Sequence, residues 1–145
     1  MAKVIGIARR EKLRGEIETI DSVYVDEKTG LAGDIRGTAL NRQVTLLSKN
    51  SWNDVCNELD AQIPWTYRRA NILIEDIDFI QRSGYEIQVG EVLLEVTRET
   101  DPCPRMDEQF EGLTEALMSN WRGGVCCNVK KGGNIKLGSK VKIHA

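Results

Sequence analysis

Apolar positions in this chain fall mostly into short alternating runs, and only twice into helical spacing. "KVIGIARR" at the N-terminus opens with a short apolar run and predicts a strand. "GEIETIDSVYVDEKTGLAGD" concentrates its strand character around Val23–Val25, then turns at "EKTG". "RQVTLLS" alternates and carries enough β-branched residues for a further strand. The period changes in "SKNSWNDVCNELD", where Trp52, Val55, Cys56 and Leu59 stand at i, i+3, i+4 and i+7 on one helix face. Ser51 is the expected N-cap, with the acid Asp54 three residues on, and Pro64 closes the region. "RRANILIEDIDF" predicts a strand running into a turn, and "EIQVGEVLLEVT" two short strands around Gly90. "GLTEALMSN" puts Leu113, Ala116 and Leu117 on one face and predicts a short helix. "GGVCCNVKKGGNIKLGSKVKIHA" predicts two or three strands broken at Gly132–Gly133 and Gly138.

Many short strands with glycine turns and few helices predict one domain, over residues 1–145, built on a closed or folded-over β-sheet. A chain of 145 residues can bury a sizeable core without staples. It shows no linker, repeat or low-complexity segment. The formal net charge of −2 argues against a general nucleic-acid binder and leaves room for a local basic pocket. "MAKVIGIARREK" is charged within ten residues and lacks the apolar region of a signal peptide. No apolar run approaches the ~18 residues that span a bilayer. The expectation is a soluble, cytoplasmic protein with no membrane partner.

The cysteines are Cys56, Cys103, Cys126 and Cys127, with no CxxC among them, and the sole histidine is His144 near the C-terminus. This is not the close ligand pairing of a structural zinc site. Cys103 is singular. "ETDPCPRMDE" holds it between Pro102 and Pro104 at an expected strand-to-helix corner, flanked by Arg98 and Arg105. Prolines cut the loop's entropy and fix where the sulfur is presented. Flanking guanidinium groups and a helix N-terminus would both favour the thiolate, the form that acts as nucleophile or soft-metal ligand. A small buried residue in a proline-rich turn is the competing reading. Cys126 and Cys127 alternate faces if "GVCCNVK" is a strand, and ordinary packing accounts for both. Cys56 lies on the apolar helix face. Arg69 and Asn71, two apart, would share one side of a strand, with Ile72 and Ile74 turned to the core. They offer a planar fork for a phosphate and an amide for a polar ring edge. A solvent-facing strand edge fits the same pair. Arg36, Arg42, Arg98 and Arg105 could add positive potential, and "KKGGNIKLG" reads as a β-turn because no helix follows it.

The order of these pieces resembles the MOSC domain, found at the C-terminus of molybdenum cofactor sulfurases, in mitochondrial amidoxime-reducing proteins and as small bacterial proteins. The pieces are "GLAGDIRGTALNRQVTLLS", an R-x-N at Arg69-Ala70-Asn71, a strand, the single Cys103, "GL", "RGGV" and "GGNIKLG", spanning roughly residues 30–143. The resemblance implies a mainly β fold with a few short helices, a β-barrel related to the inserted barrel of pyruvate kinase. It implies a molybdopterin-type molybdenum cofactor site centred on Cys103, which would carry sulfur or ligate molybdenum. Arg69 and Asn71 would clamp the cofactor's phosphate and pterin, with Thr100, Arg42 and Gln43 at the other matching positions and Arg36 and Arg105 nearby. Implied partners are a cysteine desulfurase or a molybdoenzyme. Pyridoxal phosphate enters only through the family's description, and no residue here is assigned to it. The chain reads "GDIRG" where many members place a histidine, so Arg36 stands in that neighbourhood. It lacks the aminotransferase-like domain of the sulfurases and the Lys-Ser pair and additional N-terminal region of the amidoxime-reducing proteins. A carrier, or one component of a larger system, fits better than an autonomous reductase or sulfurase. The alternative is a non-catalytic module that delivers cofactor to a molybdoenzyme or docks on one.

Overall fold

The alternating runs become strands of two sheets in the computed structural model, which describes residues 1–145. In chain order the strands are β1 (Lys3–Arg9), β2 (Glu18–Thr19), β3 (Ser22–Asp26), β4 (Gly30–Leu31), β5 (Val44–Ser48), β6 (Ile72–Glu75), β7 (Glu86–Val89), β8 (Val92–Glu99), β9 (Val125–Lys131), β10 (Gly133–Lys136) and β11 (Val141–His144). Helix α1 covers Lys49–Glu58, and two one-turn helices, α2 (Met106–Gln109) and α3 (Leu113–Ala116), follow Cys103. The larger sheet runs β11-β7-β8-β9-β5-β6-β1-β2 and the smaller β10-β3-β4. A bridge between Lys3 and Lys140 joins β1 to the segment before β11. The hydrogen bonds Val4 N–H to Ser139 O and Val141 N–H to Ala2 O support it. The larger sheet is open in its strand order, with this one bridge linking β1 to the segment before β11. The molecule is mainly β with a few short helices.

Every ladder is antiparallel except β5 with β6. Parallel neighbours need a crossover, and α1 with the 3-10 turn Trp65–Arg68 supplies it. All five residues of β5 are buried, as a strand covered on both faces requires. Val44 and Leu46 enter the main core with Ile72, Ile74, Leu94 and Val125, while Leu47 joins a second cluster under α1 with Trp52, Val55, Leu113 and Leu117. Burying each such aliphatic side chain contributes about 1.5–3 kcal/mol. The helix starts earlier than its periodicity suggests. Ser48, not Ser51, is the N-cap: its hydroxyl accepts from Ser51 N–H and donates to Ile77 O at 2.7 Å. The strand expected from Arg68 onward begins only at Ile72, because the chain first makes the 3-10 turn and passes through a left-handed residue, Arg69, with φ 64°. "RGGV" is explained by contact. A Cβ on Gly123 would come within 2.6 Å of Thr100 O, and one on Gly124, at φ +95°, within 2.0 Å of Leu46 O.

Candidate functional site: an arginine cleft beside Cys103

Where β1, the β4–β5 connection, the 3-10 turn and the end of β8 approach one another, they leave a cleft of about 390 Å³. That is within the usual range of small-ligand sites. Arg36, Arg42, Arg69, Asn71, Thr100 and Cys103 all line it, and Arg105 does too. Residues expected from distant stretches of sequence thus share one surface. Gln43 does not line it. Its amide nitrogen donates to Glu27 O and Gly37 O, and its amide oxygen accepts from Val129 N–H, so this side chain fastens the strands behind the cleft. Arg98 is exposed and also outside the lining.

Asn71 is placed by a different logic from strand alternation. Its carbonyl oxygen accepts from the backbone N–H of Thr45 at 2.9 Å and from the Thr45 hydroxyl at 3.1 Å, and its nitrogen donates to Ala8 O. It is buried and ties β1, β5 and β6 together at the cleft floor. Arg69 reaches the other way: one terminal nitrogen donates to Gly15 O at 2.6 Å, latching the loop between β1 and β2.

The loop that carries Cys103 is held at several points. Thr100 N–H donates to Gly124 O at 2.9 Å; Met106 N–H and the Thr114 hydroxyl both donate to the carbonyl of Cys103, at 2.8 and 3.0 Å. Asp107 accepts from Thr114 N–H at 2.9 Å, which keeps its carboxyl below the usual carboxylate range. The backbone of Cys103 is pinned while the residue itself is exposed, the one exposed cysteine of the four. Cys126 and Cys127 are both buried, and Cys126 Sγ lies 3.3 Å from the Thr100 hydroxyl. Helix α2, which follows Cys103, is a single turn without a side-chain cap. It supplies little of the dipole expected at this corner.

Sequence reasoning passed over Arg68, which sits beside Arg69 in the chain but behaves differently. It is 5% exposed. Its guanidinium donates to Thr100 O at 2.9 Å and Gly123 O at 3.1 Å, and lies 3.8 Å from Met106 Sδ. Burial, and next the charge of Arg42, push its pKa down to about 10. Arg10 was also passed over; it lines the cleft, and burial and the charges of Arg69, Arg36 and Arg42 lower its pKa. The only local signal was the doubled arginine in "IARR" and "YRRA", which does not say which partner turns inward.

The acids Asp34, Asp101 and Glu108 line the cleft with the arginines, and Asp101 offsets part of the charge at Arg42 and Arg68, but none of them forms an ion pair there. The ion pairs of the structure, Met1–Asp76, Lys3–Glu75, Arg9–Glu18 and Arg122–Glu58, involve none of these side chains. Asp34 lines the cleft, yet its carboxylate accepts from the backbone N–H groups of Arg10 and Arg36 and so shapes the loop. Buried Nε atoms of Arg36, Arg42 and Arg69 have no hydrogen-bond partner. Buried polar groups are normally satisfied, and three orphaned donors around one cleft are hydrogen-bonding capacity that an anion could engage. No three His, Cys, Asp or Glu side chains group closely enough to hold a metal ion by themselves.

The structure resembles several solved proteins along its whole length. The YuaD protein from Bacillus subtilis superposes with a TM-score of 0.84 at 17% identity, over 100% of this chain and 97% of that one. YiiM from Geobacillus stearothermophilus gives 0.76 at 13% identity, over 100% and 76%, and YiiM from Escherichia coli 0.72 at 14%, over 100% and 70%. At such identities the likeness is one of fold. A comparison with curated proteins found no match. No helix is long and apolar enough to cross a membrane. The MOSC domain model matches residues 32–142, which takes in β5 through β10, Cys103 and most of the cleft, and the chain therefore belongs to the MOSC domain family.

Proposed function

We propose that the cleft binds a molybdopterin-type molybdenum cofactor and that Cys103 serves it as sulfur carrier or metal ligand. The observation that carries this reading is the convergence of unpaired arginine donors and one exposed, backbone-pinned cysteine on a single cavity. The donor set fits the group. Arginine forks suit its phosphate, and a thiolate is the soft ligand that molybdenum or a persulfide sulfur takes. Arg36, Arg42 and Arg105 would hold the anionic part, and Thr100 and Thr45 offer hydroxyls at the floor. When bound, the cofactor would supply the redox or sulfur chemistry. This chain's own contribution is to bind, to orient, and to present one sulfur at a fixed place. The bridge from β1 to the segment before β11 suits the barrel expected for the family. A cysteine desulfurase or a molybdoenzyme is the partner this role implies, in the cytoplasm.

Purified protein from a cofactor-producing host tests the reading through its molybdenum content, its pterin fluorescence after oxidation, and its intact mass. Wild type should carry pterin with molybdenum, or a persulfide on Cys103. Cys103→Ser should keep pterin while losing bound sulfur or metal. Wild-type protein with neither pterin nor metal, and no uptake on incubation, would overturn the proposal. Exchange of cofactor without turnover would favour a delivery module over a catalyst.

A further inference from the structure

The R-x-N pair is the expected phosphate clamp, yet Asn71 is engaged at both ends of its amide and Arg69 is tethered at one terminal nitrogen, keeping an unpartnered Nε. The larger free capacity lies elsewhere, on arginines whose side chains make no hydrogen bond within the chain. Arg10 and Arg36 bond Asp34 only through their backbone N–H groups. Arg36 and Arg42 each bury an Nε without a partner. All three line the cleft, and none belongs to an ion pair.

We propose that Arg10, Arg36 and Arg42 form the subsite for a dianionic phosphate group, so that the phosphate end of the cleft's ligand lies on this trio rather than on the R-x-N pair. The inference deepens the cofactor reading and rests on it for the larger ligand, but the subsite is testable with inorganic ions alone. Three features argue for a dianion. Like charges held together in a partly buried site repel, and a monoanion leaves that repulsion largely in place. Guanidinium forks match the several acceptor oxygens of a tetrahedral group, where a point-charge site would not discriminate shape. The backbone already fixes two of the three: Asp34 accepts from Arg10 and Arg36 N–H, and Ile35 N–H donates to Arg10 O at 2.8 Å, so the end of β1 and the β4–β5 connection present their arginines together. Arg42 arrives from the turn before β5, where its N–H donates to Ala39 O. The same group could be the phosphate end of a larger molecule or a free oxyanion.

Calorimetric titration at constant ionic strength tests this with inorganic phosphate, sulfate, nitrate and a simple aryl phosphomonoester. The wild type should bind phosphate and sulfate at one site and nitrate at least ~10-fold more weakly, since nitrate brings one charge fewer and fewer oxygens to the charge-assisted hydrogen bonds. Arg36→Gln with Arg42→Gln should weaken phosphate by ~10-fold or more, and by more than Arg69→Gln does. Lys142→Gln, which removes a distant exposed charge, should change nothing. The Arg36→Gln, Arg42→Gln protein should also melt no lower than wild type in anion-free buffer, because it sheds repulsion; this separates lost binding from lost folding. Arg10→Gln offers a single-site check with the same expected direction. Binding of the phosphomonoester as tight as phosphate, or tighter, places the end of a larger ligand here. Binding of phosphate with exclusion of the ester would keep the dianion subsite and overturn its link to the cofactor. Absence of phosphate binding, equal affinity for nitrate, or a loss in Arg69→Gln as large as in the double variant would overturn the subsite itself. Because no cofactor enters the titration, failure here leaves the metal and pterin measurement intact, and the reverse also holds.

Discussion

Replacing Arg68 by methionine should cost less stability than replacing it by lysine. Arg68 is a buried cation with no carboxylate partner. The fall of its pKa from 12.5 to about 10 corresponds to about 3 kcal/mol spent on keeping the charge inside, at 1.36 kcal/mol per pKa unit. Against this stand two hydrogen bonds from a charged donor, to Thr100 O and Gly123 O. At about 1.5–3 kcal/mol each, they contribute about 3–6 kcal/mol. Methionine fills much of the volume, removes the charge, and strands both carbonyls, so the net loss should be about 0–3 kcal/mol. Lysine keeps a buried charge and cannot span two carbonyls with the arginine fork. It should therefore fall below methionine by about 1–3 kcal/mol. Urea denaturation with linear extrapolation gives the ordering, provided the slopes match. In both variants, amide exchange should rise in residues 99–106, because Arg68 braces the start of the Cys103 loop and touches Met106 at its end. Lysine as stable as wild type, with methionine more than ~5 kcal/mol worse, would show that the charge is not a burden and refute the reasoning.

Brief, limiting alkylation near neutral pH should label Cys103 first, because it is the exposed cysteine while Cys126 and Cys127 are buried; peptide mapping showing either of those first would contradict the structure. Asn71→Ala should destabilise the fold by about 2–4 kcal/mol, since it leaves the buried Thr45 N–H without its acceptor and Ala8 O without that donor, and a measured loss under ~1 kcal/mol would rule out the strand-tying role. Asp107 has a lowered carboxyl pKa, so its clip on Thr114 is fully present above the ordinary value of about 3.9 and is lost as pH falls through the lower folded value. Limited proteolysis around residues 103–114 should accelerate only in that acid window in wild type, and Asp107→Asn should remove that pH dependence; acceleration already at pH 6 would place the weak point elsewhere.

The fold was legible where one rule governs each residue. β5, β7, β8 and β9 lie where alternation and glycine breaks put them, and Leu113, Ala116 and Leu117 share the predicted buried face. Legibility failed where tertiary partners reset a boundary. Ser48 outcompetes Ser51 as cap because it also bonds Ile77 O, a residue 29 positions away that no local window contains. Arg69 and Asn71 reach the cleft, though not by facing one side of a strand: a left-handed turn aims the first and a three-strand hydrogen-bond knot fixes the second. Cys103 stood out by its two prolines and flanking arginines, Arg36 and Arg42 only as added charge, and Thr100 through the resemblance alone. Gln43 came the same way as Thr100 and proves to be a strand fastener. Arg68 and Arg10 were missed because exposed and buried arginines look alike in sequence, and only packing decides between them.

The same contrast separates the arginine that braces the cleft from those left free within it. Arg68 satisfies backbone carbonyls and so makes the floor that presents Cys103, while Arg10, Arg36 and Arg42 satisfy nothing inside the chain. A protein selected for stability alone would pair or remove those three. Holding these half-buried like charges side by side works against stability in the free state, and on the proposed reading an anion that engages them returns it. A ligand at ~100 times its dissociation constant adds about 2.7 kcal/mol to the folded state. That is comparable with the cost of keeping Arg68 charged. The free protein should therefore be measurably less stable than the anion-bound one, and the gain should scale with the arginines that remain. On the proposed reading the chain accepts a weaker resting state at its binding cleft, and the orphaned Nε atoms of Arg36 and Arg42 are the donors an anion would engage.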